Sequence, residues 1–263
     1  MSKNIRFFFI FILGFTIYYF LDFFYFKTIQ TFSKSIFHSK AIAHVTAYTI
    51  TLIPLIVTLK ILLPKRNIPD LFSLNKPMIQ GFTLALTGTL PMLIGYLIHF
   101  KIIPTIHWET LFINTLSSAF FEEIIFRAFL IGILYRFTRL GFLSSVLSGS
   151  LLFAQVHLYQ SQDLVELTEI FAITFLGSIF FAWAYIESKY NLWTAIFLHF
   201  FMNLYWEIFN VSENVSGNFY GNLYKFLSIA VLTVVIIYCK RKNKTPFEIT
   251  GKSLFIKIKE IQS

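Results

Sequence analysis

The feature that most constrains this chain is a series of eight apolar runs, each about long enough to cross a bilayer as a helix. They lie at about 6–26, 42–63, 79–100, 110–135, 140–159, 169–186, 191–210 and 219–239. A transmembrane helix needs about 20 consecutive, mostly apolar residues. The chain is 56% hydrophobic and only 13% charged, so it cannot hide this surface in one aqueous core. We therefore expect an all-α integral membrane protein, a polytopic bundle of about eight transmembrane helices.

The organisation along the chain is simple, because no Pro/Ser-rich linker or low-complexity stretch interrupts the apolar runs. We expect one transmembrane domain over residues 1–240, followed by a basic cytoplasmic tail over 241–263. The first run is too long for the apolar core of a signal peptide, so we expect it to be retained as the first span. The lone cysteine, Cys239, excludes an internal disulfide framework.

The basic residues predict the orientation in the membrane. With eight spans, loops alternate sides and both termini share one side. That side collects 16 Lys and Arg residues, against 5 on the opposite side, and Arg127 lies within a span. Because cytoplasmic segments carry the excess of Lys and Arg, both termini are predicted to be cytoplasmic. The net charge of +9 is thereby explained without a nucleic-acid partner.

Three charged residues interrupt the fourth run, in the stretch "SAFFEEIIFRAF" from 118 to 129. Ionisable groups inside spans are rare and usually face the bundle interior or a water-filled cavity. Glu123 and Arg127 are four residues apart, so they share one helix face and can form an ion pair. Glu122 is five residues from Arg127 and points away. We expect Glu122 to find its partners on other helices, in an intramembrane polar site.

Two later spans carry polar residues that can meet Glu122. Phe153 and His157 are four residues apart in "FAQVH", and His199 and Asn203 are four apart in "HFFMN". Each pair lies on one helix face. A carboxylate with a nearby histidine can hold and deprotonate a water molecule, and a second histidine with an asparagine can donate to a developing oxyanion. These residue types predict a hydrolytic site.

In this order, "EEIIFR", "FAQVH" and "HFFMN" resemble the EExxxR, FxxxH and HxxxN motifs of the CPBP intramembrane proteases. That family includes the type II CAAX prenyl endopeptidases, the Ras-converting enzymes. The resemblance covers the motif-bearing core, about 110–210, and implies a membrane-embedded endopeptidase. It implies that Glu122 and His157 activate water, and that His199 and Asn203 bind the oxyanion or complete the polar cluster. Glu123 and Arg127, with Phe153 beside them, would support the site.

The expected partners follow from this assignment. They are membrane lipid and a peptide or lipidated protein substrate, of which prenylated proteins are one class. The high content of Phe, Ile, Lys and Asn hints at a bacterial source, and hence at the bacterial cytoplasmic membrane. We favour chemistry without a cofactor, because the candidate residues lack the short HExxH pair that positions zinc on one helix. If zinc is used, Glu122, His157 and His199 would be its ligands.

Several other readings remain open at the level of sequence. Glu123 and Arg127 can be a purely structural pair. His199 and Asn203 can be a polar clamp between helices. The whole protein can be a non-catalytic immunity or scaffold protein of the same fold. It can also be a transporter with a proton relay, although neither internal repeats nor broken helices are evident.

Overall fold

The computed structural model describes residues 3–257, and nearly all of this part is helical. The helices are α1 Lys3–Phe37, α2 Lys40–Thr51, α3 Ile53–Leu62, α4 Ile68–Leu71, α5 Met78–His99, α6 Trp108–Phe112, α7 Ser118–Glu122, α8 Leu134–Phe137, α9 Phe142–Gln155, α10 Leu164–Glu187, α11 Leu192–Ile208 and α12 Phe219–Lys242. Short 3₁₀ turns lie at Leu158–Gln160 and Gly251–Ser253. Regular strands are absent from residues 3–257, where Leu140 and Ile256 form an isolated β-bridge.

The fourth predicted run is one continuous helical stretch, residues 108–137, which we call the motif helix. It consists of α6, α7 and α8, joined by wider π-helical turns at Ile113–Ser117 and Glu123–Ile133. In the first of these turns, two side chains bind backbone carbonyls. Here Ser118 Oγ donates to the carbonyl of Ile113 at 2.8 Å. Asn203, from α11, donates to the next carbonyl, that of Asn114, at 2.9 Å.

Helices lie at all eight predicted positions, and α2 and α3 together form the second one. Within residues 3–257, six of these segments are long and apolar enough to cross a membrane. The other two are the motif helix, which contains five charged residues, and α11, whose 17 residues extend about 25 Å. These two carry three of the four predicted catalytic residues. The fold is a polytopic helical membrane protein, as predicted.

The connections gather at two ends of the bundle. At one end, which we call the tail end because the C-terminal segment returns to it, Arg136 donates to the carbonyl of Asp70, and Trp193 Nε1 donates to that of Leu74. Residues 244–257 return to this end, where Tyr135 Oη donates to the carbonyl of Glu248 and Gly141 N–H donates to that of Phe255. At the far end, Ile103 N–H donates to the carbonyl of Ile208. This alternation is the one that eight spans require.

Small residues let the central helix α5 approach its neighbours closely. A Cβ built on Gly81 would lie 2.6 Å from the backbone of Trp193 and Thr194 in α11. A Cβ on Gly95 would lie 2.2 Å from the ring of Tyr224 in α12. Close approach at small residues is the usual basis of helix association in membranes. The packing fixes α11, and with it His199, against the motif helix.

Candidate active site

Glu123 and Arg127 form the most deeply buried part of the site. Both side chains are fully buried, and Arg127 Nε lies 3.1 Å from Glu123 Oε2. The contact is an ion pair without the alignment of a hydrogen bond. The guanidinium carbon lies 4.2 Å from the centre of the Phe153 ring and 5.2 Å from that of Phe181. Ring faces attract cations, so the aromatic rings supply part of the stabilisation that water would give outside. The predicted pairing of Glu123 with Arg127 is confirmed.

His199 links α11 to the Glu123–Arg127 pair. Its Nδ1 lies 2.8 Å from Glu123 Oε1, and a carboxylate can only accept, so Nδ1–H is the donor. The other ring nitrogen, Nε2, faces Glu122, with Oε2 at 4.0 Å. A carboxylate bound to one imidazole nitrogen fixes the tautomer and orients the ring. Glu123 therefore holds both Arg127 and His199.

Glu122 differs from Glu123 in its access to solvent. Its side chain is 19% exposed, whereas that of Glu123 is 0% exposed. Within residues 3–257, Glu122 Oε2 makes no hydrogen bond to a protein group. Next to it, the ring of Phe121 stacks on Tyr48 with the centroids 4.6 Å apart. The carboxylate that the sequence singles out as unpaired is thus the more exposed of the two, and its unbonded oxygen Oε2 is the buried one.

His157 follows the end of α9 and contacts the site through Phe153. Its Nδ1 donates to the backbone carbonyl of Phe153 at 2.7 Å, and the two rings lie 4.4 Å apart. With Nδ1 committed as donor, a neutral imidazole carries its lone pair on Nε2. This tautomer can accept a proton from water. Phe153 therefore has three contacts in the site: with Arg127, with His157, and with His199 at 6.3 Å between ring centroids.

Asn203 lies one turn beyond His199 and is held by the motif helix. Its Nδ2 donates to the carbonyl of Asn114 at 2.9 Å. Asn114 Nδ2 in turn donates to Glu207 Oε1 at 3.1 Å. An amide nitrogen carries two hydrogens, so one remains for another acceptor. These two hydrogen bonds fix the side chain of Asn203 beside the wider turn Ile113–Ser117 of the motif helix.

The structure thus places the predicted residues on three neighbouring helical segments. Glu122, Glu123, Arg127, Phe153 and His199 are linked by direct contacts, and His157 joins them through Phe153. Sequence reasoning missed the contact of His199 with Glu123, the second aromatic ring at Phe181 and the bond from Asn203 to Asn114. The i,i+4 rule pairs residues within one helix, but it cannot say which carboxylate a residue from another helix will meet.

Comparison with known families supports this assembly. Residues 104–205 match the family model described as type II CAAX prenyl endopeptidase Rce1-like. This segment is Rce1-like. The resemblance to the CPBP proteases predicted from three short motifs is therefore confirmed for this segment. No curated protein and no solved structure matches the chain.

The Rce1-like segment begins before the motif helix and ends within α11, so it includes every predicted catalytic residue. Helices α1 to α5 and α12 lie outside it. Together with the six long apolar helices, the match indicates an integral membrane protein in which residues 104–205 resemble this protease family.

The donors of the Rce1-like site do not form a set of metal ligands as they stand. Across residues 3–257, no three His, Cys, Asp or Glu side chains are close enough to share an ion. Two of the candidate zinc ligands have Nδ1 bound to protein, His157 to Phe153 and His199 to Glu123, which leaves the Nε2 of each for another partner.

Proposed function

We propose that this protein is an intramembrane endopeptidase that hydrolyses a peptide bond with water activated by Glu122 and His157. The observation that carries the proposal is the contrast between the two adjacent carboxylates. Glu123 is fully buried and bound to Arg127 and His199. Glu122 is partly exposed, has an oxygen without a protein hydrogen bond and faces His199 Nε2. A carboxylate left free beside two histidines, in an Rce1-like segment, fits a general base.

The reaction begins with a water molecule bound by Glu122. The carboxylate takes one proton as the water oxygen attacks the carbonyl carbon of the substrate, which gives a tetrahedral oxyanion. His157 offers a second acceptor, because its lone pair lies on Nε2. The carbon–nitrogen bond then breaks as the captured proton passes to the leaving amine. The products are a carboxylic acid and an amine, and the enzyme returns to its first state.

The oxyanion is stabilised by donors from α11. When His199 is protonated, its Nε2–H donates while Nδ1–H stays bound to Glu123. The free hydrogen of Asn203 Nδ2 is a second donor from the same helix face. Preorganised donors of this kind contribute about 10²–10³-fold each to the rate of acyl transfer. Asn114 and Glu207 act as positioning residues, since they hold the asparagine amide.

The substrate is proposed to be a membrane-associated peptide or protein, with lipidated and prenylated proteins as one class. Glu122 lies near the middle of the motif helix, so a chain that reaches it must enter the bundle from the membrane or along its polar interior. We place the enzyme in the bacterial cytoplasmic membrane with both termini cytoplasmic, as the distribution of basic residues predicts.

The experiment that tests this function compares cleavage products in membranes. Detergent-free membrane vesicles from cells that lack the protein are fused with proteoliposomes carrying wild-type protein or the Glu122→Gln variant. New peptide termini are then quantified by mass spectrometry. We expect termini that form only with the wild type and with Glu169→Gln, a matched change at an exposed carboxylate of α10. Identical sets of termini with wild type and Glu122→Gln would contradict the proposal.

A further inference from the structure

Two cavities lie along α5, on its contact with α12 and away from the candidate active site. One, of about 550 Å³, is at the tail end, where α5 and α12 meet the end of α10 and the start of α11. The other, of about 310 Å³, lies between α5 and α12 alone. Thr87 lines both cavities. They therefore form one continuous groove, which we call the α5–α12 groove.

Polar side chains line the groove mainly at its tail end. There Gln80, Thr83, Lys189, Asn191 and Asn243 lie among apolar residues such as Ile79, Leu84 and Ile236. Beyond Thr87 the walls are almost entirely apolar, with Leu90, Ile94, Ile98, Leu227 and Val231. From Thr87 to Ile98 the helix rises about 16 Å. A polar head and a long apolar chain match this arrangement, whereas a water-soluble ligand would leave the apolar part unfilled.

The polar end has a net positive charge and a buried hydroxyl without a partner. Lys240 is almost fully buried and is neutralised by Glu187, with Nζ and Oε2 2.5 Å apart. Lys189 is exposed, and no carboxylate within residues 3–257 forms an ion pair with it. Thr194 is fully buried, yet its Oγ1 makes no hydrogen bond to the described residues. A negatively charged head group would neutralise the exposed Lys189, whereas the Thr194 hydroxyl is closed off from the groove.

We propose that the α5–α12 groove binds one anionic phospholipid. Its phosphate lies at Lys189 and Asn243, and an acyl chain follows the apolar part past Thr87. Basic pockets between transmembrane helices on the cytoplasmic side are typical sites for anionic head groups. None of the proposed catalytic residues lines either cavity. The lipid is therefore a bound component of the fold, distinct from the substrate.

The test uses phospholipids that carry a photoreactive diazirine on an acyl chain. Protein is reconstituted in phosphatidylcholine vesicles with a trace of labelled phosphatidylglycerol or labelled phosphatidylcholine, and cross-linked residues are mapped by mass spectrometry. We expect phosphatidylglycerol to label the groove walls, such as Ile94 and Leu227, several times more than phosphatidylcholine does. Labelling of Phe23 and Phe24, on the exposed face of α1, should not distinguish the two lipids.

Lys189→Glu is the decisive variant, since the residue is exposed and the change leaves the fold intact. Juxtamembrane lysines contribute about 1 kcal/mol each toward anionic lipid, which corresponds to about fivefold in affinity. We expect the preference for phosphatidylglycerol to fall by at least that factor. Lys34→Glu, an exposed lysine near the end of α1, should leave it unchanged. Equal labelling by both lipids, or an unchanged preference in Lys189→Glu, would overturn the proposal. Loss of the preference on adding inorganic phosphate would show an anion site rather than a lipid site, and would overturn it too.

Discussion

Arg127 shows how single residues are kept charged inside this bundle. The guanidinium is fully buried, with the Glu123 carboxylate at its Nε and the rings of Phe153 and Phe181 at 4.2 and 5.2 Å from its carbon. Removing one partner of such a pair leaves the other charge without compensation, and typically costs about 3–5 kcal/mol. Loss of Glu123 would also release His199, which depends on Glu123 for its orientation.

We therefore expect Arg127→Ala to lower the free energy of unfolding by about 3–5 kcal/mol. Thermal unfolding of the purified protein in detergent would show this as a clearly lower midpoint. The chain offers a matched control in Arg66, which makes an i,i+4 pair with Asp70 at 3.2 Å but is 58% exposed. Arg66→Ala should change stability by no more than about 1 kcal/mol. A fully stable but inactive Arg127→Ala protein would instead assign Arg127 to the reaction itself.

The proposed roles of these residues also predict how the hydrolytic rate responds to removal of metal. Glu122 and His157 supply the base, and His199 and Asn203 supply the donors, so no step requires zinc. Enzyme treated exhaustively with a chelator, and shown by elemental mass spectrometry to hold less than stoichiometric metal, should keep its hydrolytic rate. A rate that vanishes and returns with one equivalent of zinc would reassign Glu122, His157 and His199 as ligands.

How far the sequence predicts the site can be seen from Glu122 and Glu123. Helical spacing was sufficient to pair Glu123 with Arg127 and to leave Glu122 for other helices. It could not show that His199 would bind Glu123, because that contact depends on how α11 packs against the motif helix. Phe181 and Asn114 were equally out of reach. Neither belongs to a motif, and each acts only through neighbours that the tertiary fold brings close.

At the scale of elements, the position of α11 depends on its close contact with α5. Gly81 lies where a Cβ would come within 2.6 Å of the α11 backbone at Trp193 and Thr194. Backbone cannot yield as a flexible side chain can, so a methyl group must push the two helices apart. Because α11 carries His199 and Asn203, such a shift would also disturb the site.

Gly81→Ala is accordingly expected to destabilise the protein by about 1–3 kcal/mol, the usual cost of overpacking. Gly177 provides the control, since it is also helical but has no atoms within 4 Å of an added Cβ. Gly177→Ala should be neutral or stabilising by up to about 1 kcal/mol, from the higher helix propensity of alanine. Unfolding midpoints of the two variants, measured in the same detergent, make the comparison. Equal midpoints for both would mean that α5 and α11 pack less closely than described.

The motif helix illustrates which parts of an element the sequence can predict. Its apolar run located the helix over about 110–135, in good agreement with the observed 108–137. The π-helical turns were not predicted. At the first of them, the hydroxyl of Ser118 and the amide of Asn203 from another helix bind the backbone carbonyls of Ile113 and Asn114. Local periodicity contains no information on that second contribution.

At the scale of the whole molecule, the alternation of connections between two ends supports eight crossings. Both termini are then predicted on the same side, which the 16 basic residues mark as cytoplasmic. Fusions of a reporter that is active only in the cytoplasm, placed at Met1 and at Ser263, should both be active. A fusion to the 209–218 loop, at the far end, should be inactive. Opposite signals from the two termini would require an odd number of spans.

The described part of the C-terminal tail also contributes to the fold. Backbone N–H groups of Glu248 and Ile249 donate to the Glu187 carboxylate at 3.2 and 2.9 Å. The carbonyl of Leu254 accepts from Leu143, at the start of α9. Composition predicted only that this segment is basic. The segment returns across the tail end and binds helix termini beside a buried ion pair between Glu187 and Lys240. These two residues lie 53 residues apart in the sequence, so composition alone does not reveal the pair.

The most direct test of the central claim is made on Glu122→Gln, with hydrolytic rate and unfolding midpoint measured on one preparation. Glu122 contacts no buried cation directly and makes no aligned hydrogen bond through Oε2 within residues 3–257. We therefore expect an unfolding midpoint close to that of the wild type and a rate lower by about 10²–10⁴-fold or more. Glu123→Gln, the matched change one residue away, should lower both quantities. A well-folded Glu122→Gln protein that hydrolyses at the wild-type rate would contradict the account.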